Sequence, residues 1–363
     1  MGPALRVVRY YPRALVGDGG MTSAVKRWSQ GMVNCGAEAV IAFDEGVDPP
    51  SEGGVQWLPV RHAGKRALKV PIGLEEILEP DDILVLHSGW TYRNVRAAAV
   101  GKRMGVRYVL EPRGAYDPHI VARKKLLKKG WWEAWEKELV MDAHAIHVFF
   151  DEEKAHLEAL GYTGAVITVS NGVDVPREPL WRGKHDSYVL WLGRFDPQHK
   201  GLDILIEAVS SMSVSERPRV RLHGPDWRAR KQKVAQWIAD KGLTEWITVG
   251  DAAYGPAKRE LLVDASSFVY PSRWDACPNS TLEAVSLGIP TLATPYPLGT
   301  YLARKGGAIL AQPNAHSLAG GLRRLFSKEA SAIGAGGARV VREELGWDHV
   351  AGLWLEQARC TSP

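Results

Sequence analysis

Apolar residues recur along this chain in two alternating rhythms. Short, nearly unbroken apolar runs suit buried strands, and longer stretches with apolar positions every three or four residues suit amphipathic helices. In the first half the runs predict strands over 5–10, 39–43, 55–60, 82–87, 106–110, 145–149 and 166–169, and the longer period predicts helices over 22–34, 93–104, 119–141 and 152–160. A second series follows, with strands over 188–192, 220–224, 247–249, 267–270 and 291–293 and helices over 202–210, 228–240, 257–264 and 282–287. A last amphipathic helix covers 347–359. Strand and helix in strict alternation indicate an α/β fold, with parallel sheets covered by helices.

The rhythm lapses over 171–186, which holds Pro176, Pro179, Gly183 and several charges. This is the best linker candidate. The expected division is a first Rossmann-like domain over 1–172, a linker over 173–186, a second such domain over 187–345 and a terminal helix over 346–363. Two doubly wound halves of this kind would face a central cleft at the carboxyl ends of their strands, where such folds bind ligands.

Composition agrees with two ordinary cores. The chain has 363 residues, 45% hydrophobic and 24% charged, so it is globular and not disordered. A net charge of +5 fits anionic ligands but is too small to imply nucleic acid. Cys35, Cys277 and Cys360 are far apart and form no metal or redox motif, as in a reduced cytoplasmic protein. Arg6 and Arg9 interrupt the only early apolar stretch, so no signal peptide is expected there. The uncharged stretch over 284–303 is broken by Gly288, Pro290, Pro295, Pro297 and Gly299, so it does not read as a membrane span.

Candidate chemistry lies just past strand ends. Gly193 and Gly201 enclose a turn that carries Arg194 and Lys200 after the strand over 188–192. Arg grips two oxygens at once and Lys acts as a point charge, so the pair suits a diphosphate. The bland alternative is a solvated basic loop. Asp275 and Glu283 stand on either side of the start of the helix over 282–287, near Asn279, Ser280 and Thr281. Carboxylates there can hold hydroxyls. They can also be structural, because Ser280-x-x-Glu283 matches a capping box. Gly17, Gly19 and Gly20 lie between the first strand and first helix, where backbone N–H groups and the helix N-terminus favour an anion. That loop lacks the third glycine of a dinucleotide fingerprint, which makes a nicotinamide-dependent dehydrogenase a poor reading.

These residues resemble a known family. Gly193-Arg194-x-Asp196-x-x-x-Lys200-Gly201, then Pro271-Ser272, the spaced acidic pair and Leu282-Glu283-Ala284 leading to Gly288-x-Pro290 look like the retaining GT-B glycosyltransferases of the family 4 type. Ser170-Asn171-Gly172-Val173-Asp174 is similar to that family's loop before the interdomain linker, and Gly19-Gly20-Met21 to its N-terminal diphosphate loop. The segment from Glu111 to Pro118, with Arg113, is similar to one in bacterial members that build surface polysaccharides. Trp347-Asp348 resembles the start of the family's last helix, which crosses back onto the N-terminal domain.

The resemblance implies a nucleotide-sugar donor, UDP- or GDP-linked, and a glycan, lipid-linked or small-molecule acceptor. It implies that Arg194 and Lys200 bind the diphosphate, Glu283 the ribose and Asp275 the transferred sugar. Asn279, Ser280 and Thr281 would offer backbone to sugar or phosphate, beside Gly193 and Asn171. The family usually has Glu where Asp275 stands, and often His where Arg113 stands; His87 is the other family-like histidine. No Asp-x-Asp triplet occurs. Neither a metal nor another cofactor is therefore expected, and cationic side chains would replace the metal clamp. An epimerase-like enzyme on the same fold and a non-catalytic nucleotide-sugar module are the rival classes.

One further stretch stands apart. Arg123, Lys124, Lys125, Lys128 and Lys129 precede Trp131, Trp132 and Trp135. Such a mixture suits an anionic membrane surface, which would make the protein peripheral on the inner face of the plasma membrane. The alternative is a solvated basic face with its tryptophans turned into the core.

Overall fold

The apolar runs of the first half assemble into one twisted sheet, and those of the second half into another. The computed structural model describes residues 4–12, 19–44, 53–64, 68–182 and 187–361. The chain divides into two units, Met1–Gly172 with Trp347–Pro363, and Val173–Gly346.

Unit 1 carries strands β1 (Arg6–Tyr11), β2 (Glu38–Asp44), β3 (Gln56–Ala63), β4 (Val70–Ile72), β5 (Ile83–His87), β6 (Arg107–Glu111), β7 (Ala145–Val148) and β8 (Ala165–Thr168). Their order is β4-β3-β2-β1-β5-β6-β7-β8. Every pairing is parallel except β3 with β4. Side chains alternate across the sheet, so consecutive residues enter different cores. Val8, Leu84, Leu86 and Leu110 fill one face. Val7, Ile83, Val85 and Val109 fill the other, against Trp28 and Met32 of the helix Gly19–Asn34. Val350, Trp354 and Leu355 of the helix Trp347–Cys360 complete that second face.

Unit 2 carries β9 (Val189–Leu192), β10 (Val220–His223), β11 (Ile247–Gly250), β12 (Ser267–Tyr270), β13 (Thr291–Ala293) and β14 (Ile309–Leu310). Their order is β11-β10-β9-β12-β13-β14, parallel throughout. In both sheets the winding reverses beside a central strand, β1 in unit 1 and β9 in unit 2. Open α/β sheets bind ligands at the carboxyl ends of the strands flanking such a reversal. The stretch over 176–182 is held to unit 2: Leu180 and Trp181 donate their backbone N–H groups to Leu287 O at 3.1 and 3.0 Å.

The continuous helix expected over 119–141 is instead divided. Asp117 caps a short helix, Pro118–Val121, and Lys124 then adopts a left-handed φ of 54°. The helix Lys125–Trp131 runs into a π-helical turn, Trp132–Glu136, before Lys137–Met141. The wide turn accompanies a buried acid. Glu136 accepts from Trp90 N (2.7 Å), Tyr116 Oη (2.7 Å) and Trp131 Nε1 (3.0 Å). A side chain that satisfies three donors, two of them from outside its own helical stretch, outweighs ideal helical spacing. The pattern also missed β4, β14 and the helices Pro297–Arg304, Ala315–Leu325 and Ala330–Glu344. The last holds Gly334, Gly336 and Gly337, residues of low helix propensity. Among the described residues no helix is long and apolar enough to cross a membrane.

Candidate active site

In unit 2 the adjacent parallel strands β9 and β12 end side by side, and the loops beyond them carry the candidate chemistry. Gly201 begins the helix Leu202–Ser211 with φ 66°, and a Cβ there would lie 1.9 Å from Pro271 O. Only glycine allows the two loops to touch at this point. Their contact places Lys200 against Asp275, 75 residues later, at 2.7 Å between Nζ and Oδ2. Ser272 Oγ donates to the same carboxylate oxygen at 2.7 Å. His199 Nε2 lies 3.5 Å from Oδ1, donates to Trp274 O at 2.5 Å and stacks on the Trp274 ring.

Burial alone would raise the Asp275 carboxyl, but Lys200 and His199 hold it well below the ordinary range. It is therefore an anion under all physiological conditions, with acceptor capacity for a hydroxyl. Tyr270 lies beneath, with Lys200 Nζ 5.3 Å from its ring centroid. Burial and Asp275 push its hydroxyl far up, so it stays protonated. Arg194 rests on Trp227, with its guanidinium 4.3 Å from the ring centroid. Its Nε is buried without a hydrogen-bond partner. Asp196, within the same turn, accepts from Arg230 at 2.7 Å.

The capping box read over Ser280 and Glu283 does not form. The helix is Asn279–Ser286, and Pro278 occupies its N-cap with no side-chain hydrogen bond. Proline has no side-chain acceptor, and Ser280 lies inside the first turn rather than before it. Glu283 is instead available to one side, where Oε1 accepts from Lys258 Nζ at 2.7 Å. Glu283 Oε2 is buried without a partner. Thr281 Oγ1 lies 3.1 Å from Tyr296 Oη, both buried.

In unit 1, Gly19 and Gly20 open the helix Gly19–Asn34, while Gly17 lies outside the described residues. Tyr11 Oη lies 2.9 Å from Thr22 Oγ1, which ties the end of β1 to that first turn. His87 and Arg113 meet around Glu111, a fully buried carboxylate at the end of β6. Arg113 Nη2 is 2.7 Å from Oε1, His87 Nδ1 3.1 Å from Oε2, and Arg9 Nη1 donates to Oε2 at 3.2 Å. Burial pushes the His87 imidazole down to about 4, against Glu111, so it is neutral near pH 7. Burial likewise lowers Arg9 to about 10. Glu111 remains ionised despite its own burial, chiefly because of the Arg113 guanidinium. Asn171 is buried too, where Oδ1 accepts from Trp28 Nε1 at 3.0 Å.

Sequence reasoning missed Glu111, Lys258, Trp227 and the Ser272 hydroxyl as partners of the candidate residues. Ser272 and Glu111 carried a signal, since one belongs to the Pro271-Ser272 pair and the other opens the segment from Glu111 to Pro118. Among the described residues no group of three or more His, Cys, Asp or Glu is placed to hold a metal ion.

Comparison with known proteins follows the same division. Residues 19–172 match the glycosyl transferase 4-like domain family, and residues 186–328 match glycosyl transferases group 1. This chain belongs to the group 1 glycosyltransferases of the family 4 type. Its fold is GT-B. Sucrose-phosphate synthase from Thermosynechococcus elongatus is similar, with TM-score 0.74 and 15% identity over 99% of this chain and 100% of that one. So is Anabaena HepE in complex with UDP and glucose, with TM-score 0.74 and 13% identity over 98% and 100%. The lipopolysaccharide outer core galactosyltransferase WaaB aligns with TM-score 0.71 and 15% identity over 99% and 100%. A sequence comparison with curated proteins finds no match.

Proposed function

We propose that this glycosyltransferase moves a sugar, with retention of anomeric configuration, from a UDP- or GDP-sugar to a carbohydrate, lipid-linked or small-molecule acceptor. The observation that carries the reading is the Lys200–Asp275 contact, 2.7 Å long, where the loops after β9 and β12 meet beside Arg194. Arg194 and Lys200 hold the donor diphosphate without a metal ion and stabilise the charge that develops as it leaves. Asp275, kept ionised, accepts a hydroxyl of the sugar. Glu283 accepts the ribose hydroxyls, using the oxygen that has no partner in the protein. The bond between the anomeric carbon and the phosphate oxygen breaks. The acceptor oxygen bonds to the same face of that carbon, and its proton passes to the departing phosphate. No general base from the protein is assigned. HepE, of the same fold, is known in complex with UDP-glucose, which supports a nucleotide-sugar donor here.

The test has two stages. Ligand-observed binding against UDP-, GDP- and dTDP-sugars identifies the donor. Transfer is then compared between the parent and Lys200→Ala, with a chelator present throughout. The variant should lose on the order of 10²–10³ in kcat, the scale of removing one preorganised charge-stabilising donor. Near-normal kinetics in Lys200→Ala would overturn the assignment.

A further inference from the structure

The two cations of the candidate site are held in different ways. Lys200 is ion-paired with Asp275 at 2.7 Å. Arg194 is paired with no carboxylate among the described residues, and its Nε is buried without a hydrogen-bond partner. What it touches is an indole, with the guanidinium carbon 4.3 Å from the centroid of the Trp227 ring. Its charge also acts on the Tyr270 hydroxyl, whose ring lies beneath Lys200.

A carboxylate stands only two residues from Arg194, yet it is taken. Buried Asp196 accepts from Arg230 Nη1 at 2.7 Å, and Arg230 opens the helix Arg230–Asp240. The loop between β10 and that helix supplies Trp227. It is drawn against the loop after β9, where Gly193 N donates to His223 O and Phe195 N to Pro225 O, both at 3.1 Å. A Cβ on Gly224 would lie 1.7 Å from Gly193 O, so the approach needs glycine. Arg228 and Ala229 then both take left-handed φ values, 59° and 56°. Two consecutive non-glycine residues there are strained. They separate Trp227, which meets Arg194, from Arg230, which meets Asp196.

Stacking and ion pairing leave an arginine in different states. The five N–H donors of a guanidinium lie in its plane, so a ring against its face leaves them free at the edge. A carboxylate would occupy two donors and offset the charge. We infer that Trp227 is a positioning residue, which holds Arg194 by its face and so reserves its charge and its N–H edge for the donor diphosphate. This role rests on the proposed binding of the diphosphate by Arg194 and extends it to how the guanidinium is kept available.

The experiment is calorimetric titration of the full chain with UDP and with GDP, with uridine and guanosine as uncharged controls. Trp227→Ala should weaken diphosphate binding on the order of tenfold and leave nucleoside binding unchanged. Trp227→Phe keeps an aromatic face and should restore most of the loss. In an Arg194→Ala background, Trp227→Ala should change nothing further, because the ring acts through that guanidinium. Trp227→Glu should bind the diphosphate on the order of tenfold more weakly than Trp227→Gln, with the gap closing in the Arg194→Ala background. That pair reads the contact if the alanine variant does not fold. Equal losses from Trp227→Ala in both backgrounds overturn the inference, since the ring would then act on its own. So does unchanged or tighter diphosphate binding by Trp227→Ala. Undiminished UDP and GDP binding by Arg194→Ala overturns the diphosphate role and the inference together. A loss there with Trp227→Ala silent overturns the inference alone.

Discussion

At His87 and Glu153 burial acts on two side chains in opposite directions. His87 falls from 6.5 to about 4, so between those values the unfolded chain takes up a proton that the native protein does not. This histidine therefore costs stability as pH falls from 6.5 towards 4. Burial raises Glu153 from 4.5 to about 7, even though its carboxylate accepts from Phe149 N (2.9 Å) and Phe150 N (3.3 Å). It stays protonated in the native protein where the unfolded chain has ionised, so it costs stability as pH rises from 4.5 towards 7. The two slopes oppose one another over most of their range and flatten the parent's profile. Single variants should expose them. Glu153→Gln keeps an acceptor for both N–H groups, and its advantage over the parent should grow by about 2–3 kcal/mol from pH 4.5 to pH 8 in denaturant melts. His87→Asn should instead gain relative to the parent as pH falls from 6.5 to 4. Flat differences in both would show that neither group titrates as its burial requires. The meeting of the Lys200 and Asp275 loops was legible because each follows an apolar strand, and the two strands proved to be neighbours. The role of Glu111 was not, since no local pattern reveals that a strand-end carboxylate faces Arg9, 102 residues away, in full burial.

Helix ends separate stability from chemistry. The helix Asn279–Ser286 starts without a side-chain cap, and Glu283 bonds to a partly exposed lysine. The helix Ala315–Leu325 has a true cap, in which Asn314 Oδ1 accepts from Ser317 N at 2.9 Å. Glu283→Ala should therefore change thermal stability little while weakening donor binding. Asn314→Ala should cost about 1 kcal/mol and leave transfer intact. The reverse assignment of losses would restore the capping role to Glu283. Strands β9 and β12 were legible to within a residue or two, whereas the strongly amphipathic helices Pro297–Arg304 and Ala315–Leu325 were missed. The π-helical turn Trp132–Glu136 was not legible, because it answers to Glu136, Tyr116 and Trp90, which meet only in the folded unit.

Across the whole molecule, unit 1 is built from both sides of unit 2 in sequence. The chain leaves it at Gly172 and returns at Trp347, where Val173 N donates to Leu345 O at 2.8 Å between the two crossings. A Cβ on Gly172 would lie 2.6 Å from the Trp347 ring and 2.8 Å from its Cα. Gly172→Ala should cost about 1–3 kcal/mol by overpacking, read as a lower melting temperature. No change there would show that the crossing is loose.

The closing face of unit 1 also imposes an order of events during synthesis. Trp28 and Arg9 are made early, yet Trp354, whose ring Arg9 approaches to 5.8 Å, is made only after all of unit 2. At ~5–20 residues per second a ribosome needs on the order of 10–30 s to cross that interval. For that time the nascent first unit shows a bare apolar face, so chaperone demand should fall on it rather than on unit 2, whose residues emerge in one continuous stretch.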